Sequence, residues 1–89
     1  MEVEVLCTAD CPNAAALIAY LEMQVDVALT VTLVTERAPV PHAFAGSPTV
    51  LVDGVNPFGG GHLDAPACAL SPPTIPELQD HLRHRATPS

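Results

Sequence analysis

The chain has no lysine and no tryptophan, and aromatic residues make up only 3% of its 89 positions. Lys and Arg together number three against ten acidic residues, which leaves a formal net charge of −7. An acidic surface repels phosphate backbones and anionic lipids, so the composition argues against nucleic-acid binding and membrane-surface roles. The core must be built from Val, Leu, Ile and Ala, because 48% of the residues are hydrophobic but almost none is aromatic. Long apolar runs are missing as well. The richest stretch, Ala14 to Leu21, is far shorter than the about 20 residues a bilayer span needs, and the acidic start carries no basic-flanked leader. A soluble cytoplasmic protein is therefore expected, and the absence of Lys beside abundant Ala, Pro and Val fits a GC-rich bacterial genome. Cysteine is also scarce. Three residues, Cys7, Cys11 and Cys68, are an odd number, which argues against a structural disulfide framework and leaves catalysis, redox sensing or metal binding. Buried free cysteine that simply packs as a small hydrophobe is the alternative.

A chain of this length forms one domain with one modest core and room for one site, here residues 1–86 with a frayed tail at 87–89. Val3 and Val5 alternate with Glu2 and Glu4 before Leu6 and Cys7, which predicts a first strand. Pro12 suits the first turn of a helix running to about Met23, with Leu17, Ile18 and Leu21 as its apolar stripe. Strict alternation from Val25 to Val34 predicts a second strand, at or near a sheet edge, with Val25, Val27, Leu29, Val31 and Leu33 on the better buried face. Pro39 and Pro41 interrupt the segment from Glu36 to Gly46, which leaves room for a single turn near His42 to Ala45. Thr49 to Asp53 reads as a third strand, and Asp53-Gly54 as a hairpin turn into a fourth at Val55 to Phe58. A long Gly- and Pro-rich loop follows to Pro73. Thr74-x-x-Glu77 then forms a capping box that opens a last helix to about Arg85, with Leu78 and Leu82 on one face.

The chemistry concentrates where the first strand meets the first helix. Pro12 places Cys11 near the helix N-cap, where unpaired backbone N–H groups and the positive end of the helix dipole favour thiolate over thiol. Asp10, the neighbouring carboxylate, opposes part of that effect.

Cys11-Pro12-Asn13 between a strand and a helix, with Gly46-Ser47-Pro48-Thr49 before Val50-Leu51-Val52-Asp53-Gly54, resembles the thioredoxin-like superfamily. Small actinobacterial-type members are the nearest in pattern, and the likeness covers about residues 2 to 58. It implies an α/β fold of order β-α-β-(short turn)-β-β-α, a four-stranded mixed sheet in the order 2-1-3-4 with the third strand reversed, and two main helices. It also implies a cis Ser47-Pro48 bond whose backbone stands beside the reactive cysteine. Cys7, Cys11, Pro48 and the loop with Cys68 should then share one end of the sheet. The familiar Cys-x-x-Cys becomes Cys11-Pro12-Asn13-Ala14, so a methyl group replaces the usual resolving thiol. Cys7, slightly ahead on proximity, and Cys68, on the long loop, are the two candidates to replace it.

Three functions follow from this pattern. The first is thiol–disulfide exchange or redox sensing through Cys11, with Cys7, Cys68 and Pro48 around it, no cofactor, and a thiol- or disulfide-bearing protein or small molecule as partner. The second is soft-metal binding of Hg, Cu or Zn by Cys7, Cys11, Cys68 and His62, with His42 near the same rim. Cys7, Asp10 and Cys68 also resemble the Cys, Asp, Cys set of alkylmercury lyases, which are considerably larger proteins. The third is an inert interaction module that keeps the fold and offers the edge of its second strand, Thr30 to Thr35, for strand addition.

Overall fold

Strand β1 (Glu2–Cys7) runs through the centre of the sheet, and its alternation sends Val3, Val5 and Cys7 to one face and Leu6 to the other. The computed structural model describes residues 1–9, 11–59, 61–69 and 72–86, without the side chains of Arg85 and Ala86. Helix α1 (Pro12–Glu22) follows β1 and leads to β2 (Ala28–Leu33), which pairs with β1 in parallel from Glu2↔Ala28 to Cys7↔Leu33. Strand β3 (Thr49–Val52) lies on the other side of β1 and runs antiparallel to it, with Val5 opposite Val50. The sheet order is β2-β1-β3, and helix α2 (Ile75–Ala86) closes the chain. Among the described residues no helix is long and apolar enough to cross a membrane.

Each face of the sheet is closed differently. Val3, Val5, Val50 and Val52 pack under Ala14, Leu17 and Leu21 of α1 and Leu78 and Leu82 of α2. The capping box holds the start of α2, since Glu77 N–H donates to Thr74 Oγ1 at 3.2 Å and Thr74 N–H to Glu77 Oε1 at 3.4 Å. The opposite face has no helix. Leu6 and Leu51 are covered there by Val34 and by Phe44, which is fully buried at the end of a single turn closed by Phe44 N–H to Pro41 O at 3.0 Å.

Two expectations need correction. The fourth strand at Val55 to Phe58 is reduced to a single antiparallel bridge between Val52 and Val55, so the sheet has three strands among the described residues. Asp53 (φ 51°) and Gly54 (φ 86°) do make the expected two-residue hairpin turn, with Val52 and Val55 exchanging backbone bonds of 2.7 and 3.1 Å. The pairing stops there because Asn56 turns the chain away: its Oδ1 takes Phe58 N–H at 2.9 Å and its Nδ2 donates to Gly59 O at 2.8 Å. Pro57 in between has no N–H to offer a ladder. The second strand is also shorter than Val25 to Val34. Its neighbour begins at Glu2, so the ladder starts at Ala28; Met1 reaches only the Asp26 carbonyl, at 3.2 Å, and Val25 sits in a turn at 96% exposure. Because β2 is an edge strand, Val31 and Leu33 are exposed rather than forming a well-buried face.

Phe44→Ala should cost about 3–5 kcal/mol, a large share of the roughly 5–15 kcal/mol available to a domain. Urea unfolding followed by circular dichroism measures it. Val25→Ser should change stability by no more than about 0.5 kcal/mol. Equal effects of the two substitutions would show that the loop side is not a packed face.

Candidate functional site

The site is built where β1 hands over to α1. Cys11 is the N-cap of α1, with extended backbone (φ −92°, ψ 109°), and Pro12 occupies the first turn, where a missing N–H costs nothing. The Cys11 carbonyl accepts the first helical bond from Ala15 N–H at 3.2 Å. Cys7 and Cys11 are both buried, at 3% and 6% exposure, in the cluster that holds Ala14 and Leu17. Asp10 lies outside the described residues.

Ser47 organises the surroundings. It is fully buried just before β3, and the Ser47-Pro48 peptide bond is cis. Its Oγ accepts Thr8 N–H at 3.0 Å, tying the end of β1 to the entry of β3, and its hydroxyl lies close enough to the Cys11 sulfur to favour the thiolate. Thr49 braces the same bend by accepting Ala45 N–H at 2.9 Å and donating to Gly46 O at 2.6 Å.

The backbone of Ser47 holds the segment that carries Cys68. Ser47 N–H donates to Ala67 O at 2.7 Å, and Ala69 N–H donates to Ser47 O at 3.0 Å, which makes a one-residue parallel bridge between Ser47 and Cys68. Gly46 permits this approach. With φ at +109°, a Cβ there would stand 2.6 Å from the Ala69 Cα. Cys68 itself is exposed and lines a cleft of about 410 Å³ with Pro48, Phe58, His62, Leu63 and Ala69. Cys11 is not part of that lining.

The two buried thiols differ electrostatically. Burial raises the Cys7 pKa above the ordinary thiol value, and the nearby Cys11 charge raises it further. Burial also pushes Cys11 upward, but the Ser47 hydroxyl, the backbone N–H groups of Ala14 and Asn13, and the Cys68 thiol together bring it below the ordinary value. No strict N-cap hydrogen bond forms to the sulfur, so the helix amides act on it as nearby dipoles. All three cysteines are free.

Of the residues anticipated from sequence, the fold therefore brings Cys7, Cys11, Pro48 and Cys68 to one end of the sheet. His62 shares the cleft with Cys68, where its Nε2 lies 3.0 Å from Asp64 Oδ1, and His42 stands beside it with ring centroids 6.2 Å apart. Among the described residues no group of three or more His, Cys, Asp or Glu side chains could hold a metal ion. Ser47 and Gly46 were not anticipated as site residues. Their only signal was the Gly-Ser-Pro-Thr run, in which a serine before a proline gives no hint of which groups its hydroxyl and backbone will meet.

Ser47→Ala should move the pH midpoint of Cys11 alkylation upward, because the donor that opposes the burial effect is gone; an unmoved midpoint would show that Ser47 does not serve the sulfur. The two thiols should also affect stability in opposite senses. The lowered pKa of Cys11 adds stability above the unfolded thiol value that is lost as pH falls through its folded value. The raised pKa of Cys7 adds stability below the unfolded value that is lost as pH rises through its folded value. Cys7→Ala should thus flatten the alkaline fall in unfolding free energy, read from urea titrations across the pH range. Compared with known proteins, the chain matches no family model, no curated protein and no solved structure.

Proposed function

We propose that the protein is a thioredoxin-like thiol protein in which Cys11 and Cys68 form a dithiol–disulfide couple for thiol–disulfide exchange or redox sensing. One observation carries this reading: the backbone bridge between Ser47 and Cys68 holds the Cys68 segment against the buried corner beside Cys11, close enough for the Cys68 thiol to help lower the Cys11 pKa. The thioredoxin-like assignment draws support from the parallel β1–β2 pair, the antiparallel β3, and the Ser47-Pro48 corner next to a cysteine that opens a helix.

In exchange, the Cys11 thiolate attacks one sulfur of a low-molecular-weight disulfide and the other sulfur leaves as a thiolate. Cys68 then gives up its proton and attacks the Cys11 sulfur, which closes the Cys11–Cys68 bond and releases the second partner thiol. Cys7 takes no part, since burial keeps it protonated. A reducing compartment such as the bacterial cytoplasm returns the pair to the dithiol state.

Oxidation of the reduced protein with diamide, followed by alkylation of the remaining thiols and peptide mapping, tests the pairing. The expected product joins Cys11 to Cys68 and leaves Cys7 alkylated after unfolding, in the parent chain and in Cys7→Ala alike. A Cys7–Cys11 bond, or bonds formed only between molecules, would overturn the proposal.

A further inference from the structure

The attacking and resolving sulfurs are arranged in a way that selects the oxidant. Exchange with a disulfide needs three sulfurs roughly in line, with space beyond Cys11 for the leaving half of the substrate. Here Cys11 is 6% exposed, and the 67–69 segment is bonded to Ser47, the residue whose hydroxyl lies by the sulfur. Both backbone groups of Ser47 are already bonded to Ala67 and Ala69, so the strand edge beside the sulfur offers no free pairing positions to an incoming peptide. The contact of Ala69 with Gly46 leaves no slack between segment and sheet. A bulky ligand in the 410 Å³ cleft meets Cys68 on its wall and not Cys11.

We infer that Cys11 is open to a small hydroperoxide, which passes the 67–69 segment, and closed to macromolecular disulfides. This rests on the Cys11–Cys68 couple proposed above. The Cys11 thiolate attacks the terminal oxygen of the hydroperoxide, the O–O bond breaks, and the leaving oxygen departs as an alcohol or water after taking up a proton. Cys11 is thereby oxidised to a sulfenic acid and the hydroperoxide is reduced. The Ser47 hydroxyl and the amides of Asn13 and Ala14 lie beside the Cys11 sulfur and favour its thiolate, the form that attacks. Cys68 is in position to attack the sulfenic sulfur, expel water and close the Cys11–Cys68 disulfide. Two equivalents of a thiol reductant reopen it. The strained approach of a second macromolecule is never required.

The test treats the fully reduced chain in parallel with hydrogen peroxide and with native insulin as a protein disulfide, and follows Cys11–Cys68 bond formation by quenched peptide mapping. Peroxide should form the bond at least about tenfold faster than insulin. In Cys68→Ser, peroxide with dimedone should label Cys11 at least about tenfold faster than it labels Cys68 in Cys11→Ser. Loosening the segment with Ala69→Pro, which removes the N–H bonded to Ser47, or with Gly46→Ala should narrow the rate gap between insulin and peroxide; if one variant fails to fold, the other serves. Insulin oxidising the parent chain as fast as peroxide does, or dimedone labelling Cys68 first, would overturn the inference while leaving the dithiol couple standing. If neither oxidant produces the Cys11–Cys68 bond, the couple itself falls.

Discussion

A single buried serine ties the molecule together. The hydroxyl of Ser47 links the end of β1, through Thr8, to the sulfur that opens α1, and its peptide groups carry Ala67 and Ala69. Four otherwise separate parts of the chain are therefore fixed relative to one residue: the end of β1, the start of α1, the entry to β3 and the segment with Cys68. Because Ser47 is fully buried, every one of these groups must be paired inside the protein, since water cannot replace a lost partner. The side chains buried among the described residues meet that demand, with no nitrogen or oxygen left unpartnered.

The same pairing explains why neighbouring thiols have opposite tendencies. Cys7 and Cys11 occupy one hydrocarbon cluster, and burial alone would keep both protonated. Cys7 lies within a strand, where its backbone groups serve the sheet, and burial and the Cys11 charge raise its pKa. Cys11 lies at a helix start, where N–H groups are still free, and faces the hydroxyl of Ser47. The difference is one of local donors rather than depth. It also makes the pair asymmetric, because charge on Cys11 further disfavours charge on Cys7.

Local rules made much of this legible in the sequence. The Glu-Val alternation gives β1, Pro12 sets the start of α1 and makes Cys11 its N-cap, and Thr74 with Glu77 forms the reciprocal cap of α2. Each depends on residues within a turn of one another. What was not legible depends on distant partners. The alternation of Val25 to Val34 is real, but its residues before Ala28 lie outside the ladder because β1 begins at Glu2. Val55 to Phe58 looks like a strand until the Asn56 side chain competes for the backbone. The meeting of Cys68 with Cys11 rests on one bridge between residues 47 and 68, in a stretch whose composition signals only a loop. Side-chain periodicity cannot announce a contact made by two backbone bonds.

The loop face of the sheet bears on the same contact. Phe44 replaces a helix there, and its carbonyl accepts Leu63 N–H at 2.9 Å while Leu63 packs against its cluster. The long loop is thus anchored on Phe44 shortly before it reaches Ala67, and again on Ser47. With the two anchors so close in sequence, the intervening chain has few conformations left to lose when Ala67 and Ala69 bind Ser47, and the entropy cost of delivering Cys68 falls accordingly. The apolar seat of Phe44 therefore does more than fill the sheet face. It shortens the free chain that must be ordered to hold the Cys68 segment on the buried backbone of Ser47.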